Sequence, residues 1–91
     1  MARVIITLRI MPEGIEIDLN ELQKEAKKII EHFGGTIGKT EEVPIAFGLK
    51  SLNITFFMDE SRGDTEPLEK EIEAMEGVQS CEVIDVRRAV G

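Results

Sequence analysis

The order of hydrophobic periodicities is the feature of this chain that most constrains its fold. Apolar residues alternate over residues 3–10 and 49–58 and recur at helical spacing in two other segments. Residues 36–44 and 78–86 read as further strands, which gives the order β-α-β-β-α-β. Right-handed crossovers would place both helices on one face of a four-stranded antiparallel sheet. The sequence therefore predicts an α+β fold, the ferredoxin-like βαββαβ plait, with residues 1–91 as one domain. The predicted strands are residues 3–10, 36–44, 49–58 and 78–86, and the predicted helices, of about 12–15 residues each, lie within 18–34 and 64–77.

Capping and breaking residues support these boundaries. Asp18, followed three residues later by Glu21, resembles a capping box at the start of the first helix, and Gly34 ends that helix. Gly77 ends the second helix in the same way. Pro44 predicts that the second strand lies at a sheet edge, because proline cannot donate to a central ladder.

Charge restricts the possible partners of the chain. The formal net charge is −7, and residues 59–76 hold eight acids against one arginine and one lysine. An acidic surface argues against direct nucleic-acid binding, which requires cations to neutralise phosphates. It suits a basic protein partner, because complementary potentials speed and orient the encounter. A solvated helix face without a partner explains the same acids, and charge alone favours that interpretation.

The rest of the composition predicts a soluble, cytoplasmic protein. No apolar run approaches the ~18 residues that a membrane span needs, so we expect no membrane association. The chain has a single cysteine, Cys81, which excludes an internal disulfide and falls in a strand-like segment. We therefore expect Cys81 to be a small core residue rather than a nucleophile.

We find no set of residues suited to catalysis, to a metal or to a cofactor. The only histidine, His32, falls late in the first helix, and one histidine with one cysteine cannot form a tetrahedral zinc site. The glycines of residues 33–39 follow a helix rather than a strand and lack phosphate-loop spacing. RNA-binding plaits stack bases on aromatic side chains of the central strands, and here only Phe57 is available. The sequence thus favours a binding module.

Two features lack a purely structural explanation. Pro44 to Lys50 read PIAFGLK, with Phe47 placed between two small residues where the chain is expected to bend. Phe47 is either a core residue near a turn or a ring displayed for a partner. The second feature is the adjacent pair Arg87 and Arg88 near the end of an acidic chain, for which a solvated tail is an equal alternative.

The run PIAFGLKSLNI, followed by an acidic segment, the motif GVQSCEV and a short basic end, resembles the archaeal elongation factor 1-beta family. It is similar also to the C-terminal exchange domain of the eukaryotic protein, and the resemblance covers nearly the whole chain. It implies a guanine-nucleotide exchange factor that is not itself an enzyme. Its partner would be the GTPase elongation factor 1-alpha, and the factor would be a monomer when alone.

The resemblance also implies roles for individual residues. Phe47 would pack into the second domain of the GTPase, Gly48 would let the two backbones approach, and Lys50 would lie in the same interface. The basic residue that approaches the Mg²⁺ and phosphate-binding loop of the GTPase corresponds to Arg88, with Arg87 beside it. The eukaryotic proteins have lysine at the Arg88 position, and the two cations differ in shape and hydration.

An alternative from another functional class is a small-metabolite-sensing regulatory plait. Such a domain would bind its ligand around residues 14–20, where the first helix begins, and would be an obligate oligomer. Elution of the isolated chain as a monomer would argue against this alternative.

Overall fold

The computed structural model describes residues 3–89 and confirms the predicted order of elements. The four strands form one sheet in the order β2-β3-β1-β4, and every neighbouring pair is antiparallel. This is the arrangement of the ferredoxin-like plait. The elements are β1 (Arg3–Pro12), α1 (Leu19–Phe33), β2 (Thr36–Ala46), β3 (Leu49–Asp59), a 3₁₀ turn (Glu60–Arg62), α2 (Glu66–Glu73) and β4 (Val78–Ala89).

The core lies between the sheet and the two helices. Alternate residues of β1 and β3 are almost fully buried, as their alternation predicts, and each helix adds one apolar stripe. Burial of one such side chain stabilises the fold by about 1.5–3 kcal/mol. The buried apolar residues are Ile6, Leu8, Ile10, Leu22, Ala26, Ile30, Leu52, Ile54, Phe56, Met58, Leu68, Ile72, Val78 and Cys81.

Helix α1 begins and ends where its capping residues predict. The Asp18 carboxylate accepts a hydrogen bond from the N–H of Asn20 at 2.9 Å, so the capping bond goes to Asn20 rather than to Glu21. Gly34 ends the helix in the left-handed region at φ 111°, which glycine adopts without a Cβ clash. The Arg62 guanidinium donates to the carbonyl of Phe33 and so satisfies one exposed acceptor of the last turn.

Helix α2 is shorter than predicted. It has eight residues, Glu66–Glu73, where we expected about 12–15. The apolar stripe misled the prediction, because Met75 continues it and packs against the core from a turn rather than from the helix. The Met75 N–H bonds to the carbonyl of Ile72 at 3.0 Å, which tightens the chain before Gly77 reverses it at φ 90°.

The predicted edge position of β2 is confirmed, and β4 occupies the other edge. Pro44 lies within β2, where one side of the strand has no ladder to donate to. Neither helix within residues 3–89 is long and apolar enough to cross a membrane.

Candidate partner-binding surfaces

Phe47 and Gly48 form the two-residue turn that joins β2 to β3. Strand β2 ends at Ala46 and β3 begins at Leu49, so nothing but these two residues reverses the chain. Both have positive φ, 52° for Phe47 and 81° for Gly48, as a type I′ hairpin turn requires. That turn matches the twist of the flanking strands and holds their ends in a fixed geometry.

The Phe47 side chain is displayed rather than packed. It is 97% exposed, so it is not a core residue near a turn. Among residues 3–89 it is also the one non-glycine residue with positive φ. A left-handed conformation costs a residue with a Cβ about 1–2 kcal/mol, and an exposed ring returns none of this to the fold. Phe47 therefore occupies a position where its backbone is strained and its side chain contributes nothing to folding.

Lys50 lies two residues after the turn and faces the neighbouring strand. Its ammonium is 3.9 Å from the Glu42 carboxylate, a cross-strand pair exposed to water. A cleft of about 340 Å³ opens beside this pair, between the turn and the loop that precedes α1. Six of the residues 14–20, where the metabolite-sensing alternative requires a ligand, line this cleft, but Asp18 already caps the helix there.

Arg87 and Arg88 lie in β4 rather than in a solvated tail. Arg87 pairs with Ile5 and Arg88 with Val4, so the two arginines lie on opposite faces of the sheet. The Arg88 guanidinium donates to the carboxylate of Glu60. The predicted strand covers residues 78–86, and ladder pairing with β1 extends it through both arginines.

Their neighbours separate the two arginines further. The Arg87 Nε donates to Asp85 at 3.0 Å on the open face of the sheet. The Arg88 side chain lies on the helix-covered face and remains 65% exposed. A partner that docks on one face of the sheet would therefore meet one of these cations but not both.

The structure does not bring the two groups of predicted residues together. Arg88 is opposite Val4, whose other neighbour is Met58, at one end of the sheet. The Phe47 turn comes directly before Leu49, at the opposite end of the sheet. The distance from Met58 to Leu49 along β3 is about 30 Å at the usual rise per residue. This direction is the long one in a molecule of 42 × 21 × 17 Å. Phe47, Gly48 and Lys50 thus lie together at one end of the sheet, and Arg88 lies at the other.

The remaining chemical candidates are structural. Cys81 is buried in the core as predicted, and its burial raises the pKa of the thiol to about 12. His32 is exposed in the last turn of α1, where a cation interacts favourably with the helix dipole. No group of three or more possible metal-ligating side chains occurs in the part of the chain that the structure describes.

The Phe57 ring packs against neighbouring residues of the sheet. The Arg3 guanidinium lies 5.2 Å from the centre of the Phe57 ring, which places a cation over it. On β2, a Cβ at Gly38 would approach within 2.8 Å of the ring, so glycine makes room for it there. The one aromatic of the open sheet face therefore packs within the sheet instead of offering a stacking surface.

Solved structures resemble this fold at low sequence identity. The C-terminal domain of the MgtC protein from Mycobacterium tuberculosis matches with a TM-score of 0.64 and 13% identity over 90% of this chain and 85% of that one. The ACT domain of the GTP pyrophosphokinase of Chlorobium tepidum matches with a TM-score of 0.60 and 16% identity, over 88% and 96%. Likenesses at this identity show the fold alone.

Sequence relatives are more informative. Elongation factor 1-beta of Methanosphaera stadtmanae is 43% identical over 88 residues, covering 97% of this chain and 98% of that protein. Elongation factor 1-beta of Staphylothermus marinus is 44% identical over 89 residues, with coverage of 97% and 98%. Residues 5–89 match the EF-1 guanine nucleotide exchange domain. The chain therefore belongs to the family of the EF-1 guanine nucleotide exchange domain and has a role in translation elongation.

Proposed function

We propose that this chain promotes release of GDP and rebinding of GTP on the GTPase elongation factor 1-alpha. The observation that carries the proposal is Phe47, a fully exposed ring on a strained hairpin turn. Strain that gives nothing to folding is typical of functional positions. Membership of the exchange-domain family supplies the class of partner.

Phe47 acts as the anchor of the complex. A Phe side chain buries about 150–250 Å² when it enters an apolar pocket, and aromatic anchors of this kind dominate interface energetics. The turn holds the ring out before binding, which reduces the entropy lost on association. Gly48 keeps the other half of the turn without a side chain, so a partner backbone approaches closely. Lys50, exposed beside the turn, belongs to the rim of this contact.

Arg88 acts at the other end of the sheet. A cation about 30 Å from the anchor reaches a second region of a large partner, and the resemblance implies that this region is near the Mg²⁺ and phosphates of the nucleotide. The Glu60 carboxylate holds the guanidinium in the free protein. Such an exposed pair is worth about 0–1 kcal/mol, so a stronger anionic or metal-linked site in the GTPase displaces it readily.

Exchange follows from a difference in affinity between two states. A factor that binds the nucleotide-free GTPase more tightly than the GDP-bound form weakens GDP binding by the same factor. A guanidinium near the metal site supplies this difference, because the metal is the largest local charge that holds the diphosphate. On this proposal the chain makes and breaks no covalent bond.

The test is release of a fluorescent GDP analogue from the cognate elongation factor 1-alpha. We would compare no addition, the wild-type chain and the Arg88→Ala variant. Arg87→Ala is the matched control, because it removes an equal charge from the other face of the same strand end. Single substitutions are preferable to truncation, since residues 87–89 pair with β1.

We expect strong acceleration by the wild-type chain and by Arg87→Ala, and little by Arg88→Ala. Equal loss in both variants would show that net charge rather than position matters. Acceleration that survives both changes would keep the function and move the mechanism to the Phe47 end. No acceleration by the wild-type chain would overturn the proposed function.

A further inference from the structure

Phe47 is not the only large apolar side chain exposed at its end of the molecule. Ile15, in the loop before α1, is 69% exposed, and Ile45, near the end of β2, is 47% exposed. A Cβ at Gly48 would lie 3.6 Å from Cγ2 of Ile15, so the loop isoleucine sits directly beside the hairpin turn. We call Ile15, Ile45 and Phe47 together the tip surface.

The loop that carries Ile15 is fixed to the rest of the fold. The Glu13 N–H donates to the carbonyl of Gly77 at 2.9 Å, and the Ile17 N–H donates to the carbonyl of Gly14 at 3.3 Å. Ile17 packs against the core, two residues after Ile15. Ile17 thus anchors the loop, and Ile15 is held in a fixed position exposed to water. Binding of a partner over Ile15 would therefore cost little loop entropy.

We infer that Ile15 and Ile45 extend the Phe47 anchor into one continuous docking surface, and that its occupant is the apolar surface of the GTPase that receives Phe47. This inference rests on the proposed function and adds the loop before α1 to the interface. Two aliphatic side chains beside one aromatic make the centre of such a contact, and charged groups make its rim.

The charge of the rim decides between possible occupants. Glu13, Glu16 and Glu42 are exposed near the tip surface, against Lys50. A second copy of the chain would bring the same acidic excess to the same place, and like charges oppose that contact. A different protein with basic side chains around an apolar patch fits instead.

Ile15→Ala is the test, measured in two ways. We would titrate the complex with the nucleotide-free cognate GTPase to obtain Kd, and we would measure GDP release at saturating concentrations of the factor. Ile84→Ala is the matched control, because Ile84 is a partly exposed isoleucine on β4, away from the tip surface. Thermal unfolding of each variant checks that the fold is unchanged.

We expect Ile15→Ala to raise Kd about tenfold, as loss of a buried aliphatic group predicts, with the saturated release rate and the Tm unchanged. Ile84→Ala should leave Kd at the wild-type value. If Phe47→Ala weakens the complex and Ile15→Ala does not, the inference is overturned while the exchange function stands. If the wild-type chain neither binds the GTPase nor accelerates release, both are overturned.

Discussion

The Phe47→Asn substitution should change the stability of the fold and the affinity for the partner in opposite directions. The turn that Phe47 begins is type I′ in its φ values, and asparagine followed by glycine is the pair that this turn favours. Asparagine visits the left-handed region more easily than phenylalanine does. The substitution leaves Gly48 and both strands in place and removes only a ring that is 97% exposed.

The expected gain in stability follows from the backbone. A left-handed conformation costs about 1–2 kcal/mol for a residue with a Cβ, and asparagine recovers part of this. A gain of about 1 kcal/mol would raise the Tm by about 4–8 °C in a chain of this size. The loss in binding should be larger than the gain in folding, because truncating an aromatic hot spot costs 2 kcal/mol or more, or about 30-fold in Kd.

Thermal unfolding should be followed by far-UV circular dichroism, because the chain has neither tryptophan nor tyrosine to report by fluorescence. Phe47→Ala is the comparison, since alanine also carries a Cβ at this position and should bind as poorly while gaining no stability. A lower Tm for Phe47→Asn would refute the reasoning, because the ring would then contribute to the fold. Unchanged affinity in both variants would refute the anchor.

Two further predictions concern the core. Gly35→Ala should lower the free energy of unfolding, measured by denaturant titration, by about 1–3 kcal/mol, because the new Cβ would lie 2.8 Å from both Ile30 and Phe56. An unchanged denaturation midpoint would contradict this and show that the neighbouring side chains move to accommodate the methyl group. Cys81 should resist alkylation in the native protein at pH 8 and react on unfolding, because burial raises its pKa to about 12. Since the native thiol keeps its proton where the unfolded one loses it, stability should decline as the pH rises above 9.0, and a Cys81→Ala variant should lack this decline.

The sequence predicted the elements that depend on local patterns. The alternation of β1 and β3 identified the core face correctly, since a buried face leaves one register possible. Asp18 and Gly34 marked the ends of α1, because a cap is a property of a few adjacent residues. The length of α2 was wrong because Met75 packs on the core from a turn, and spacing alone does not distinguish a turn from a helix.

The features that depend on pairing were harder to predict. A phenylalanine before Gly48 is not the usual signal of a type I′ turn, so the segment read as a bend and not as a hairpin. Arg87 and Arg88 extend β4 because β1 lies beside them, a contact between the two ends of the chain. The same pairing puts the two arginines on opposite faces of the sheet. Two adjacent residues point to opposite faces only when they lie in a strand, so the sequence did not predict this separation.

The separation of the two sites assigns them different tasks on the proposed mechanism. Contacts that are equally strong with the GDP-bound and the nucleotide-free GTPase raise the affinity of the complex, but they do not change the equilibrium between these two states. The Phe47 end, about 30 Å from Arg88, is suited to this common contact, and only a group near the nucleotide senses whether GDP is present. The tip surface should therefore set the concentration at which the factor works, while Arg88 sets the rate at saturation. The paired strands between them fix the distance, so that docking at one end places the cation at the other.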